Sequence, residues 1–161
     1  MKAIMNEKQK SFMQKAIKLS LESMKHGGGP FGAVIVKNGE IIAAESNHVT
    51  QHNDPTAHAE VCSIRTACTK LETFDLSGCE LYTSCEPCPM CLGAIYWSHI
   101  SKVYYANTRN DAKNAGFDDY LIYDEISKDI DNRIIPFEQI MRDEAIMAFE
   151  EWEGLEDKTD Y

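Results

Sequence analysis

Leu81-Tyr82-Thr83-Ser84-Cys85-Glu86-Pro87-Cys88-Pro89-Met90-Cys91-Leu92-Gly93-Ala94-Ile95-Tyr96-Trp97 is the stretch on which the fold turns. Residues 81–84 read as a strand. Pro87-Cys88 reads as a helix start, because a proline in the first helical turn loses no hydrogen bond. That helix runs to about Trp97, and residues 103–106 supply the next strand. Upstream, residues 56–70 return to helical spacing, with Val61, Ile64 and Cys68 on one side. Before them, residues 31–37 and 41–44 are apolar runs joined through Asn38-Gly39. Asn-Gly between such runs marks a hairpin, since both turn positions need a positive φ.

The flanks are read the same way. Residues 6–25 form an amphipathic helix with Phe12, Ile17, Leu19, Leu21 and Met24 on its apolar face, stopped by Gly27-Gly28-Gly29-Pro30. Residues 47–54 are polar and loop-like. Beyond Asn107, Gly116-Phe117-Asp118-Asp119 looks like a turn into a short helix, and residues 137–152 like a last helix. Helices alternating with short strands give an α/β fold, and the hairpin makes its sheet mixed. No repeat or linker divides the 161 residues, so the chain is read as one domain over 1–161.

Chemistry concentrates in two pieces. His58-Ala59-Glu60 and Pro87-Cys88-Pro89-Met90-Cys91 together form the H-x-E…P-C-x-x-C pattern of zinc deaminases. One histidine and two cysteines are soft donors that suit Zn²⁺, and three protein ligands leave one position open for water. A carboxylate such as Glu60 beside that water can carry its proton. Cys88 and Cys91 are three apart and share a helix face. His58 and Glu60 diverge in mid-helix and converge only off a helix's open end. Both motifs are therefore expected at helix N-termini, where the dipole favours anionic ligands.

Cys85 adds a second, overlapping C-x-x-C, and is read as a small buried residue near the site. Two alternatives stand beside the open site: a redox cysteine pair, and a closed structural zinc held by His58, Cys85, Cys88 and Cys91. The remaining cysteines, Cys62, Cys68 and Cys79, are read as free thiols rather than a disulfide framework.

Gly29-Pro30-Phe31-Gly32-Ala33-Val34, Asn47, Asp54-Pro55-Thr56-Ala57-His58-Ala59-Glu60 and Thr83 through Cys91 resemble the cytidine/deoxycytidylate deaminase superfamily. The central 80 or so residues look like its purine-related branch, which includes bacterial guanine deaminases and tRNA adenosine deaminases. Ala115 through Asp119, Ile122-Tyr123 and the terminal Tyr161 are similar to the guanine deaminases.

The resemblance implies a three-layer α/β/α fold around a five-stranded mixed sheet. It implies zinc on His58, Cys88 and Cys91, with Glu60 as proton shuttle. It implies a guanine nucleobase as substrate, contacted by Phe31, Asn47, Ala59 and Asp119. It further implies a homodimer in which segment 120–161 is swapped, so that Tyr161 closes the partner's site. Trp97 is read as core or, alternatively, as a wall of the purine pocket. The competing functions are a tRNA adenosine deaminase, a deaminase of cytosine or another heterocycle, and a non-catalytic zinc-stabilised interaction module.

The formal net charge of −10 is uneven. Residues 1–117 carry 12 Lys+Arg against 11 Asp+Glu, a net of +1, whereas residues 118–161 carry 4 against 15, a net of −11. A strongly acidic segment over the active site repels phosphate but not an uncharged base. That favours a free nucleobase over nucleic acid. No run reaches the ~20 apolar residues of a membrane helix, and residues 1–8 lack a leader's apolar core. A cytoplasmic protein is the expectation.

Overall fold

The computed structural model describes residues 6–161; the expectation that residues 1–5 belong to no leader lies outside the described residues. The chain divides into two compact units, one ending at Asp119 and one spanning Tyr120–Tyr161.

In the first unit the order is α1 (Glu7–Lys25), β1 (Gly32–Lys37), β2 (Glu40–Ser46), α2 (Val49–His52), α3 (Ala59–Leu71), β3 (Cys79–Cys85), α4 (Pro89–Trp97), β4 (Lys102–Asn107) and α5 (Arg109–Asn114). The strands form one sheet in the order β2-β1-β3-β4. β1 is antiparallel to both neighbours, and β3 is parallel to β4, so the sheet is mixed. Asn38 and Gly39 make the hairpin turn with φ of 53° and 79°.

Alternation in β1 sorts the layers. Val34 and Val36 pack with Ala16 and Tyr82 under α1. Ala33 and Ile35 pack with Ala59, Ile64, Ala67, Leu81 and Ile95 under α3 and α4. This is the expected three-layer α/β/α arrangement.

The sheet has four strands among the described residues, not five. Beyond Asn107 the one β-branched pair, Ile134-Ile135, runs into Pro136, which cannot donate to a ladder.

The face of α1 agrees with expectation at Phe12 and Leu19, which pack against the core beneath it, and differs elsewhere. Ala16, Ser20 and Ser23 are buried, while Ile17, Leu21 and Met24 are exposed. The cause is close approach: a Cβ on Gly32 would run into the Ala16 carbonyl oxygen, the Leu19 Cβ and the Ser20 nitrogen. At the point of closest approach the helix therefore presents Ala16 and Ser20, with Leu19 beside them. α1 begins in a capping box, the Asn6 Oδ1 accepting from Gln9 N at 2.8 Å and Gln9 Oε1 from Asn6 N at 3.0 Å.

Residues 47–54, expected as loop, contain the single turn of α2. Helix α4 starts at Pro89 rather than at Pro87, with Cys88 as its extended N-cap.

The second unit holds α6 (Tyr120–Ser127), a 3₁₀ turn at Ile130–Asn132, α7 (Arg142–Ala145) and α8 (Met147–Glu153). The single helix expected over 137–152 is broken, because Met141 sits at φ 53°, a left-handed conformation that no right-handed helix can include. No residue of this unit is buried.

Gly32→Ala should lower the unfolding free energy by about 1–3 kcal/mol, the usual cost of overpacking. Gly93→Ala, with nothing near its added Cβ inside α4, should raise it by about 0.5–1 kcal/mol. Urea denaturation of the two variants checks the contrast.

Candidate metal centre

Two helix starts build the site. Asp54 Oδ1 accepts from Thr56 N at 2.8 Å and from Thr56 Oγ1 at 2.7 Å, fixing a tight turn ahead of α3. His48 N donates to Ala57 O at 2.9 Å and holds the turn in place. His58 is then the extended N-cap of α3, and its side chain makes no capping bond. The imidazole is left for other partners. At α4, Cys88 is likewise an extended N-cap without a side-chain cap bond, Pro89 follows it, and Cys91 lies one turn in. Glu86 N donates to Asn107 O at 2.8 Å, tying this entry to the end of β4.

The two starts meet. His58 Nδ1 lies 3.5 Å from Cys88 Sγ and 3.5 Å from Cys91 Sγ. One donor atom from each residue falls within 4.8 Å of the others. Tetrahedral zinc with bonds of about 2.0–2.3 Å needs N···S edges of about 3.6 Å. The donor set therefore fits zinc in type and in spacing. Cys85 stands apart: it is buried, and its Sγ contacts Thr108 O at 3.6 Å. Among the described residues no fourth His, Cys, Asp or Glu joins the group.

The cysteines are tuned differently. Hydrogen bonding from Cys91, helped by His58, pulls Cys88 well below the ordinary thiol range. Cys91 is pushed up by its bond to Cys88 and by burial, until a cation displaces its proton. His58 is raised, first by its bond to Cys88. Burial pushes Cys85 up to about 11, as suits an inert thiol.

Glu60 is 5 % exposed. Its Oε1 accepts from Thr83 Oγ1 at 2.9 Å, and its Oε2 lies 3.5 Å from Cys91 Sγ. Burial raises its pKa. A carboxyl group thus sits against the metal donors without being one.

The other expected residues fall as follows. Ala59 is buried between His58 and Glu60. Asn47 is buried, and its Oδ1 accepts from Gly29 N at 3.3 Å and Val49 N at 3.2 Å. With the oxygen committed to backbone, the amide nitrogen is the end left to donate. Phe31 lies beside it, Asn47 N donating to Phe31 O at 3.0 Å. Asp119 is half-buried; burial raises its pKa, Arg109 opposes this, and the Cys88 charge acts on it. It therefore lies within electrostatic reach of the cluster. Trp97 is 67 % exposed at the end of α4, which corrects its core assignment. Tyr161 ends the second unit and is exposed.

Two residues escaped the sequence reading. Thr83 bonds Glu60, and nothing local in the sequence of β3, which also carries Glu80 and Ser84, singles it out. Phe117 meets Phe31 edge-on, with ring centroids 5.0 Å apart and planes at 84°. Its position is set by a Schellman stop to α5: Gly116 N donates to Lys113 O and Phe117 N to Ala112 O, with Gly116 at φ 94°.

Comparison with known proteins agrees with this geometry. Residues 6–107 match the family model of the cytidine and deoxycytidylate deaminase zinc-binding region. The chain belongs to that zinc-dependent deaminase family. It is 53% identical to the guanine deaminase of Bacillus subtilis (strain 168), over 94% of this chain and 97% of that protein. An X-ray structure of guanine deaminase from Bacillus subtilis superposes with a TM-score of 0.92 at 52% identity, covering 98% of this chain and 99% of the other. The tRNA-specific adenosine deaminase of Aquifex aeolicus (strain VF5) is 44% identical, over 65% of this chain and 68% of its own length.

Cys85→Ala should retain one zinc per chain, while Cys88→Ala and Cys91→Ala should each lose it. Metal analysis of the dialysed variants decides between this donor set and a closed four-ligand site.

Proposed function

We propose that this protein hydrolyses guanine to xanthine and ammonia. One observation carries the substrate choice. Likeness to the guanine deaminase runs through the C-terminal third, whereas likeness to the tRNA deaminase covers 65% of the chain. The acidic C-terminal segment points the same way, since it disfavours a phosphate-rich partner.

His58, Cys88 and Cys91 would hold the zinc. Zinc bound there supplies Lewis acidity that brings the pKa of a water from about 16 to near 7. The chain's own groups then handle orientation and protons. Asn47 donates its amide N–H to the purine, and Phe31 stacks beside it, braced by Phe117. Asp119 accepts from the amino and ring N–H edge that guanine has and adenine lacks. A carboxylate closed in with a base without those donors would be left unpaired, which penalises adenine and cytosine. Water adds at C2. Glu60 takes the water's proton, passes it to the ring nitrogen, and delivers the next to the departing amine. One carboxylate acting as base and then acid contributes about 10²–10⁴-fold.

The working form is proposed as a homodimer with segment 120–161 exchanged and Tyr161 closing the partner's pocket. What supports this is the second unit itself. It carries Ile134, Ile135, Ile140, Phe149 and Trp152 exposed and buries nothing. A set of large apolar side chains of this kind marks a surface meant to be covered. The proposed location is the cytoplasm: all six cysteines are free, and no helix among the described residues is long and apolar enough to cross a membrane.

A panel of guanine, cytosine, cytidine, guanosine and tRNA should show turnover of guanine, followed by ultraviolet absorbance and ammonia release. Asp119→Ala should cut kcat/KM for guanine by about 10²–10³-fold, the scale of a lost charge-assisted hydrogen bond in a closed site. Turnover of cytosine or tRNA without guanine would overturn the substrate assignment.

The exchanged dimer has its own test. Glu60→Gln and Tyr161→Ala should each inactivate. Co-expressed, they should recover about a quarter of wild-type activity, because half the dimers are mixed and each mixed dimer holds one intact site. No recovery would place Tyr161 in its own chain's site.

A further inference from the structure

We propose that Thr83 is a positioning residue for proton transfer: its hydroxyl pins one oxygen of Glu60 so that the other alone serves the metal side of the site. This rests on Glu60 being the proton carrier.

The strand dictates where the hydroxyl sits. Along β3 the side chains alternate, so Leu81, Thr83 and Cys85 share one face and Tyr82 and Ser84 the other. Tyr82 belongs to the core under α1, and Leu81 to the core under α3 and α4. Thr83 thus lies in the α3 and α4 layer, and it is 1 % exposed. Across the ladder it pairs with Ala33 of β1 and Tyr105 of β4. A hydroxyl in an apolar layer must find a partner, or its burial is costly. The partner is Glu60 Oε1 at 2.9 Å.

Glu60 needs that bond. Its terminal torsion is broad and intrinsically two-fold, so a buried carboxylate is not held by its own rotamer. Thr83 is β-branched in a central strand, which restricts χ1 and fixes the hydroxyl. Held at Oε1 by Thr83, the carboxylate keeps its other oxygen, Oε2, 3.5 Å from Cys91 Sγ and so on the side of the three donors. One hydroxyl from a neighbouring strand thereby sets which oxygen faces the site.

Thr83→Val keeps the shape and removes the hydroxyl; Thr83→Ser keeps the hydroxyl. Both are compared in the wild-type and Glu60→Gln backgrounds, with zinc content and melting temperature recorded. Thr83→Val should lower kcat about 10–100-fold, part of the usual acid–base contribution, with KM within about threefold and zinc retained. Thr83→Ser should restore most of it. In the Glu60→Gln background, Thr83→Val should have no further effect. Crystal structures should show the Glu60 carboxylate displaced from the Cys91 side in Thr83→Val and in place in Thr83→Ser. Wild-type kcat in Thr83→Val, no rescue by serine, or an equal loss in both backgrounds would each overturn the proposal. A wild-type rate in Glu60→Gln alone would instead sink the proton-carrier role, and this proposal with it.

Discussion

Two helices beginning at one point is the constraint on which the rest of the molecule depends. α3 and α4 each open on an extended N-cap residue, His58 and Cys88, that leaves its side chain out of the cap. Their first turns expose N–H groups and the positive ends of the dipoles to the same small volume. Anionic sulfur is favoured there, which accords with the depressed Cys88. With Cys91 one turn further in, three soft donors come to 3.5 Å spacing without any loop having to wander. A metal held this way inherits the rigidity of the sheet beneath it.

The opposite face of the sheet sets the substrate side. α1 lies so close to β1 that a Cβ on Gly32 would collide with the Ala16 carbonyl oxygen, the Leu19 Cβ and the Ser20 nitrogen. The end of that helix then reaches the site: Ser23 Oγ donates to Asn47 O at 3.2 Å, and Gly28 is packed against both residues. The backbone of Asn47 is thereby tied to α1, while its side-chain oxygen accepts from Gly29 N and Val49 N. A residue proposed to meet the substrate is thus anchored partly through the helix on the far side of the sheet.

Legibility followed the range of the interactions. The hairpin, the H-x-E pair and the C-x-x-C pair could be read because each is local in sequence. Placing His58 and Glu60 at a helix mouth needed only the periodicity of the helix. What failed depended on distant partners. Nothing local says that α1 presents its small residues inward. Two prolines flank Cys88, and the second, not the first, begins the helix. The break at Met141 has no glycine to announce it. Trp97, at the end of α4, reads as core but is exposed, and Thr83 and Phe117 act through contacts that only the folded chain makes.

Two sulfurs and one nitrogen make a three-donor site that leaves a fourth zinc position for water. X-ray absorption at the zinc edge measures this directly on the purified protein. The predicted result is two sulfur scatterers at about 2.3 Å and two nitrogen or oxygen scatterers at about 2.0–2.1 Å. Three sulfurs would bring Cys85 into the shell, close the site, and contradict the account.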